Sequence, residues 1–433
     1  MSRPLNNRRV LAIAFPIVIS NATVPILGAV DTGVVGQLGD PAAMGAVGIG
    51  AVILASVYWI FGFLRMGTSG LVAQALGAGD RAEVGAHLLR GLAIAFAAGL
   101  VFILFHRLII AGAFMLVPAS AEVERMAQSY LSIRFWGAPA AIGLYAITGW
   151  LIALERTRAV LVLQLLMNGT NILLDLWFVL GLGWGVPGVA VATVIAEWSG
   201  LALGLWFARH AIADAWGKAG LFAKAQLERL ARVNGDILIR SVLLQGSFTT
   251  FLFLSAGEGD VTLAANQVLM QFLEITAYGL DGFAFAAETL VGQAVGARRA
   301  GEVRRAAALT SAWGVAGAVL LTLFFLIAGP MIIDILTTST EVRAAARHYL
   351  PWLAVAPIIG IASWMFDGIF IGATRTREMR NSMILSVGLY LILIVILPRL
   401  MGNNGLWAAL MGLNLMRGVT MWRLYPRVVA AAA

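Results

Sequence analysis

In a chain built mostly of apolar blocks, the residues able to do chemistry are few enough to name. Asp31 lies about 21 residues into the first block, some 30 Å along a helix that rises about 1.5 Å per residue. Asp175 lies about 24 Å into the fifth block, and Asn171 stands one turn before it on the same face. Thr193 lies about 10 Å into the sixth block from its other end. Measured from one membrane face, these depths converge on its outer half. An ionisable group in hydrocarbon costs several kcal/mol, so each one marks a functional hypothesis. Two carboxylates close together in low dielectric resist ionising together. Such a pair takes up a shared proton or holds a small cation such as Na⁺, with amide and hydroxyl oxygens completing the shell. The competing reading is two carboxylates hydrogen-bonded for packing alone.

Other charges fall inside apolar blocks as well. Glu274, Asp281 and Glu288 recur every seven residues in the eighth block and so share a face. Arg417, about 18 Å into the last block, needs a counter-ion that Glu274, Asp281 or Asp367 can supply. Structural ion pairing is the expected role of this set, ahead of substrate or gating contacts. Arg134 lies within the fourth block, while Arg65 and Arg240 lie near inner helix ends and are expected to snorkel. Gly183, Gly185 and Gly188 fit a dinucleotide-binding spacing, but no strand precedes them. There is no phosphate-binding loop ending in Gly-Lys-Ser/Thr, which removes ATP as a direct energy source, and the four histidines are too scattered for a metal-ligand set.

The elements that must position these residues follow from composition. The chain of 433 residues is 60% apolar and 12% charged, with mean hydropathy +0.89. Globular domains are about 25% charged, so lipid must cover part of this surface. Twelve apolar blocks, near 10–36, 44–70, 88–111, 127–153, 159–180, 186–208, 236–257, 262–290, 306–329, 345–372, 381–399 and 405–424, are each long enough to read as a membrane-spanning helix. The first is too long for a signal peptide and has no small-residue cleavage site after a short apolar core. The net charge of +8 sits in short clusters between blocks, such as Arg3, Arg8 and Arg9, or Arg298, Arg299, Arg304 and Arg305. That pattern argues for cytoplasmic loops and against a nucleic-acid partner. Placing the N-terminus inside puts most Lys and Arg residues on that side, and an even span count returns the C-terminus there. The predicted class is an all-α polytopic protein of a bacterial-type inner membrane, with both termini cytoplasmic. The cysteine-free chain offers no disulfide or thiolate metal site.

An internal repeat organises the spans. GLVAQALGAGDRAEV from Gly70 matches TLVGQAVGARRAGEV from Thr289, an offset of 219 residues. The same offset pairs Tyr130 with Tyr349 and the run from Gly149 with that from Gly368, while Gly39-Asp40 matches Gly259-Asp260 at 220. The chain therefore divides into a six-helix lobe at 1–209, an amphipathic cytoplasmic linker at 210–235 and a second lobe at 236–433. Six spans per lobe predict a pseudo-two-fold axis along the membrane normal, with Gln74 matching Gln293 and Thr157 matching Thr376. The duplicate also acts as an internal control. Asp31, Asn171, Asp175 and Thr193 map to Phe251, Tyr390, Ile394 and Leu413, so the second lobe has no equivalent cluster.

The chain resembles the multidrug and toxic compound extrusion (MATE) family, and within it the branch of DNA-damage-inducible protein F (DinF). The matching segments are VPILGAVDTGVVGQLG from Val24, GLVAQALGAGD from Gly70, NILLDLW from Asn171, GVAVATVIAEW from Gly188, TAYGLDGFAF from Thr276 and FDGIFIGATRTREMRNSM from Phe366. The resemblance implies twelve helices in two lobes, and export of organic compounds driven by inward H⁺ or Na⁺ movement. It assigns the cation site to Asp31, Asn171, Asp175 and Thr193, and it makes Pro16 a bending point of the first helix, with Pro25 a second candidate. Sodium-coupled relatives of the NorM type use a second-lobe glutamate and aspartate. Asp367 matches the aspartate, but Gln245 stands at the glutamate position, which favours H⁺ through the first lobe.

The expected activity is secondary antiport of amphipathic or cationic small molecules by a monomer, without a cofactor. A flippase for lipid-linked saccharides is the runner-up, although such proteins usually show extra spans and a strongly cationic cavity. An intramembrane enzyme would need H-E-x-x-H, an aspartate-rich run or a Ser/His pair within spans, and none is present.

Overall fold

The computed structural model describes residues 4–116, 119–217 and 220–433, and it is helical throughout with no strand among them. Twelve long helices follow one another: α1 Asn7–Gly36, α2 Pro41–Gly77, α3 Arg81–Leu116, α4 Ala121–Ala153, α5 Thr157–Gly181 and α6 Gly185–Trp216 in the first half. The second half holds α7 Lys224–Glu258, α8 Asp260–Gly296, α9 Ala300–Leu336, α10 Thr340–Gly372, α11 Thr376–Met401 and α12 Asn403–Ala430. Ten of these are long and apolar enough to cross a membrane. The other two are α8, with Glu274, Asp281 and Glu288, and α12, with Arg417.

Several helices start where short polar side chains satisfy free amides. Asp40 accepts from the Ala42 amide at 2.9 Å and is followed by Pro41, while Ser120 and Ser339 cap α4 and α10 at 3.4 Å each. The segment 210–235 is largely helical, since 210–216 continue α6 and 224–235 open α7.

The repeat is visible in the backbone as well as in the residues. Glu155 and Thr374 both take positive φ, at 58° and 50°, and each lies two residues before the helix-opening threonine, Thr157 or Thr376. Both threonines are buried. Gly79 and Arg298 form a second pair, at 79° and 55°. An arginine occupies a left-handed position only under compulsion, so the turn after α8 is dictated by the packing of its helices.

Packing divides the chain into two compact units, one of Met1–Val18, Ala73–Gly79 and Arg229–Ala433 and the other of Ile19–Val72 and Asp80–Glu228. The boundary falls inside α1, two residues after Pro16. The helix runs unbroken through Pro16 and Pro25, each of which removes one amide from its ladder. In the first of these units α2 and α8 approach closely at the repeated motif. A Cβ added at Gly77 would collide with the Gln293 carbonyl, and one at Gly296 with the Gln74 carbonyl. Arg9 donates to Gln293 Oε1 at 2.7 Å, and Arg229 donates to Gln74 Oε1 at 3.3 Å. The Gln74 amide nitrogen in turn donates to the Gly372 carbonyl and Thr374 Oγ1, both at 3.0 Å.

Candidate functional site

The first-half cluster is built on α1, α5 and α6. Residues Gln164, Asn168, Asn171 and Asp175 are spaced by four, three and four, which sets them in one stripe along α5. Gln164 donates to Asn168 Oδ1 at 3.0 Å, and Asn168 donates to Thr23 Oγ1 on α1 at 3.0 Å. Two turns further along both helices, Asp31 of α1 and Asp175 of α5 lie within hydrogen-bonding reach of each other. Asn171 donates to Thr193 Oγ1 of α6 at 3.2 Å, and that hydroxyl donates to the Val189 carbonyl at 2.9 Å. Asp175 is fully buried and Asn171 nearly so, while Asp31 and Thr193 are half-buried.

The hydrogen-bond accounting of this cluster is lopsided. Asp31 Oδ1, both Asp175 oxygens and Asn171 Oδ1 are buried without a donor. Buried acceptors nearly always have partners, and leaving one unmade costs about 1–3 kcal/mol. Four acceptors together form an oxygen-rich site that a proton or a small cation would satisfy. Immediately after Asp175, α5 widens into a π-helical turn over Leu176–Gly181, and the Leu182 amide bonds the Trp177 carbonyl at 2.8 Å. Such widenings are frequent at functional sites.

Below this cluster, Arg134 of α4 holds Glu197 of α6 through two hydrogen bonds of 2.9 Å. The sequence reading noted Arg134 but missed Glu197, Gln164 and Asn168. Their signals were present: Glu197 sits one turn from Thr193, and the α5 stripe has regular helical spacing.

In the second half Arg417 of α12 bonds Asp367 of α10 at 2.6 Å, so of the three expected counter-ions Asp367 is the one in place and Glu274 and Asp281 are not. Glu274 is exposed and Asp281 half-buried. Arg240 of α7 does not snorkel: it is 7% exposed and bonds the same Asp367 oxygen, Oδ2. The α7 helix begins at Lys224, so Arg240 stands about 24 Å along it rather than near its end. Gln245 is exposed, and Asp367 is already bonded to two guanidinium groups. Among the described residues no group of three or more His, Cys, Asp or Glu side chains is arranged to hold a metal ion.

Twelve long helices on a duplicated plan, with carboxylates and guanidinium groups buried among them, fit a multi-pass membrane transporter rather than an enzyme. The chain belongs to the MATE family: the MatE family model matches it twice, over residues 16–177 and again over 237–397. DNA damage-inducible protein F of Escherichia coli is 40% identical over 422 residues, covering 96% of this chain and 91% of that protein. A probable multidrug resistance protein NorM of Pseudomonas aeruginosa is 26% identical, covering 98% and 92%. Among solved structures, the Vibrio cholerae MATE transporter VcmN in its bent form aligns with TM-score 0.86 at 19% identity, covering 98% of this chain and 97% of that one. An outward-facing multidrug resistance MATE family transporter aligns with TM-score 0.83, also at 19% identity, covering 98% and 96%.

Proposed function

We propose that the chain is a secondary antiporter that exports amphipathic organic compounds, cationic ones among them, in exchange for H⁺ taken through the Asp31–Asp175 pair. The observation that carries this reading is the set of buried acceptors without donors on Asp31, Asp175 and Asn171. A proton added to either carboxyl supplies the missing donor and removes a charge from the bundle interior. Asn171 and Thr193 position the pair by tying α5 to α6. The loss of charge would let α1 repack about Pro16 and Pro25, which couples proton binding to movement of the helix carrying Asp31. Na⁺ is the less favoured ion, because Asp367 in the second half is occupied by two arginines.

In this reading the six-helix lobes 1–209 and 236–433, joined by 210–235, work as a monomer in the bacterial inner membrane with both termini cytoplasmic. The energetics are adequate. One proton moving down about 100 mV supplies about 2.3 kcal/mol, enough for roughly 1.6 decades of gradient of a neutral compound. The test is uptake of a fluorescent drug by everted vesicles with proton and sodium gradients imposed separately. Uptake on the proton gradient alone is expected, and uptake driven by sodium alone would overturn the assignment.

A further inference from the structure

Arg240, Asp367 and Arg417 meet from three helices, α7, α10 and α12, with relative exposures of 7%, 7% and 4%. Both guanidinium groups donate to one atom, Asp367 Oδ2. Arg417 also donates to Asn414 Oδ1 at 3.0 Å. Among the described residues no other carboxylate pairs with either arginine, so two positive charges share one negative charge and the cluster is left with a surplus of one. Arg240 Nε is buried and has no acceptor.

A buried charge without a counter-ion is strongly destabilising, and more so where hydrocarbon replaces water. Structural pairing alone would be served by one arginine and one aspartate. The second arginine brings a planar donor fork whose natural complement is an oxyanion. The bundle adds a second constraint: α10 and α12, which carry Asp367 and Arg417, bury Ile361, Met365, Leu410, Met411 and Leu413 elsewhere along their length. A ligand that reaches the cluster through so apolar a bundle must combine a negative oxygen-bearing group with an apolar body.

We propose that the Arg240–Asp367–Arg417 cluster is a binding site for the carboxylate or sulfonate group of an amphipathic organic anion. The inference deepens the export reading and rests on it for the identity of the ligand as cargo. Its test is a binding measurement that needs no gradient, so the two can fail separately. The Asp367 carboxylate competes with the ligand for the guanidinium groups, and the uncommitted Arg240 Nε supplies a first contact.

The experiment uses the full chain in detergent and two dyes with the same apolar body, one bearing a sulfonate and the other a trimethylammonium group. Arg240→Gln is expected to weaken sulfonate-dye binding at least tenfold and leave the cationic dye within twofold, while Arg240→Lys retains most sulfonate binding. Asp367→Asn is expected to tighten the sulfonate dye, which also serves if Arg240→Gln folds poorly. Equal loss of both dyes in Arg240→Gln, or looser sulfonate binding in Asp367→Asn, would overturn the proposal. So would saturation of the site by millimolar chloride or inorganic phosphate, or by an anionic phospholipid in mixed micelles, at the expense of the sulfonate dye.

Discussion

The two halves place different chemistry at the same positions of one plan. In the first half Asp31, Asn171, Asp175 and Thr193 gather as buried oxygens and amides. Their repeat partners Phe251, Tyr390, Ile394 and Leu413 also gather, but as members of a single apolar core with Leu269, Phe272 and Trp407. Among these four partners the polar side-chain atom is the Tyr390 hydroxyl, which donates to the Ser247 carbonyl at 2.8 Å. The fold is therefore made equally well by a dry core. Packing at these positions therefore demands an acid in neither half, which supports the proposed proton-coupling role of the acidic cluster.

The ionic groups differ in the same way. Among the described residues no arginine is bonded to Asp31 or Asp175, whereas Asp367 is shared by two. In the proposed reading, the first half holds acceptors that a proton would satisfy and the second half donors that an anion would satisfy.

The largest stability effect should come from carrying first-half chemistry into the second. Ile394→Asp would bury an acid beside Phe251 and Leu413 without a donor, and a loss of about 3–5 kcal/mol is expected. Thermal unfolding in detergent should show a drop of many degrees; a melting temperature close to wild type would mean that the second-half core is wetter than described. Breaking the ion pair beneath the acidic cluster ranks next. Glu197→Gln leaves Arg134 buried without its charge partner and should cost about 2–4 kcal/mol, while Arg134→Met with Glu197→Leu should recover most of the loss. A double variant no better than the single one would show that the pair does more than satisfy itself.

The reverse graft tests the comparison more finely. Asp175→Ile installs the second-half residue at the first-half position, removing two acceptors that lack donors. Stability should hold or rise by about 1 kcal/mol, with proton-driven export abolished; a protein that unfolds would make Asp175 structural. Gln164→Leu should have the smallest effect, about 0.5–1 kcal/mol, because it removes only one hydrogen bond to Asn168. A transport defect as large as that of Asp175→Ile would extend the proton site about three turns down α5.

Much of this was legible in the sequence, for identifiable reasons. Spans announce themselves by length and hydropathy, and the repeat by a constant offset that the positive-φ pairs Glu155/Thr374 and Gly79/Arg298 reproduce in the backbone. The acidic cluster was found because an acid in an apolar run is conspicuous, and the duplicate showed it to be one-sided. Partner choice was less accessible. Which acid meets Arg417 depends on helix rotation, which a depth estimate does not contain. Arg240 was misread because α7 extends well past its apolar block, so the hydrophobic boundary was taken for the helix end. The π-helical turn after Asp175 leaves no mark in residue type, since a change of hydrogen-bond register needs none.

If, as proposed, Asp31 and Asp175 carry the transported proton, substrate binding must release it. Purified protein in weakly buffered detergent near neutral pH, with a pH-indicator dye, is titrated with a cationic substrate, and the protons released per substrate bound are counted. The account predicts close to one proton for the wild type, none for Asp31→Asn with substrate still bound, and close to one again for Asp367→Asn. Undiminished release from Asp31→Asn, or its loss in Asp367→Asn alone, would place the proton elsewhere and contradict the account.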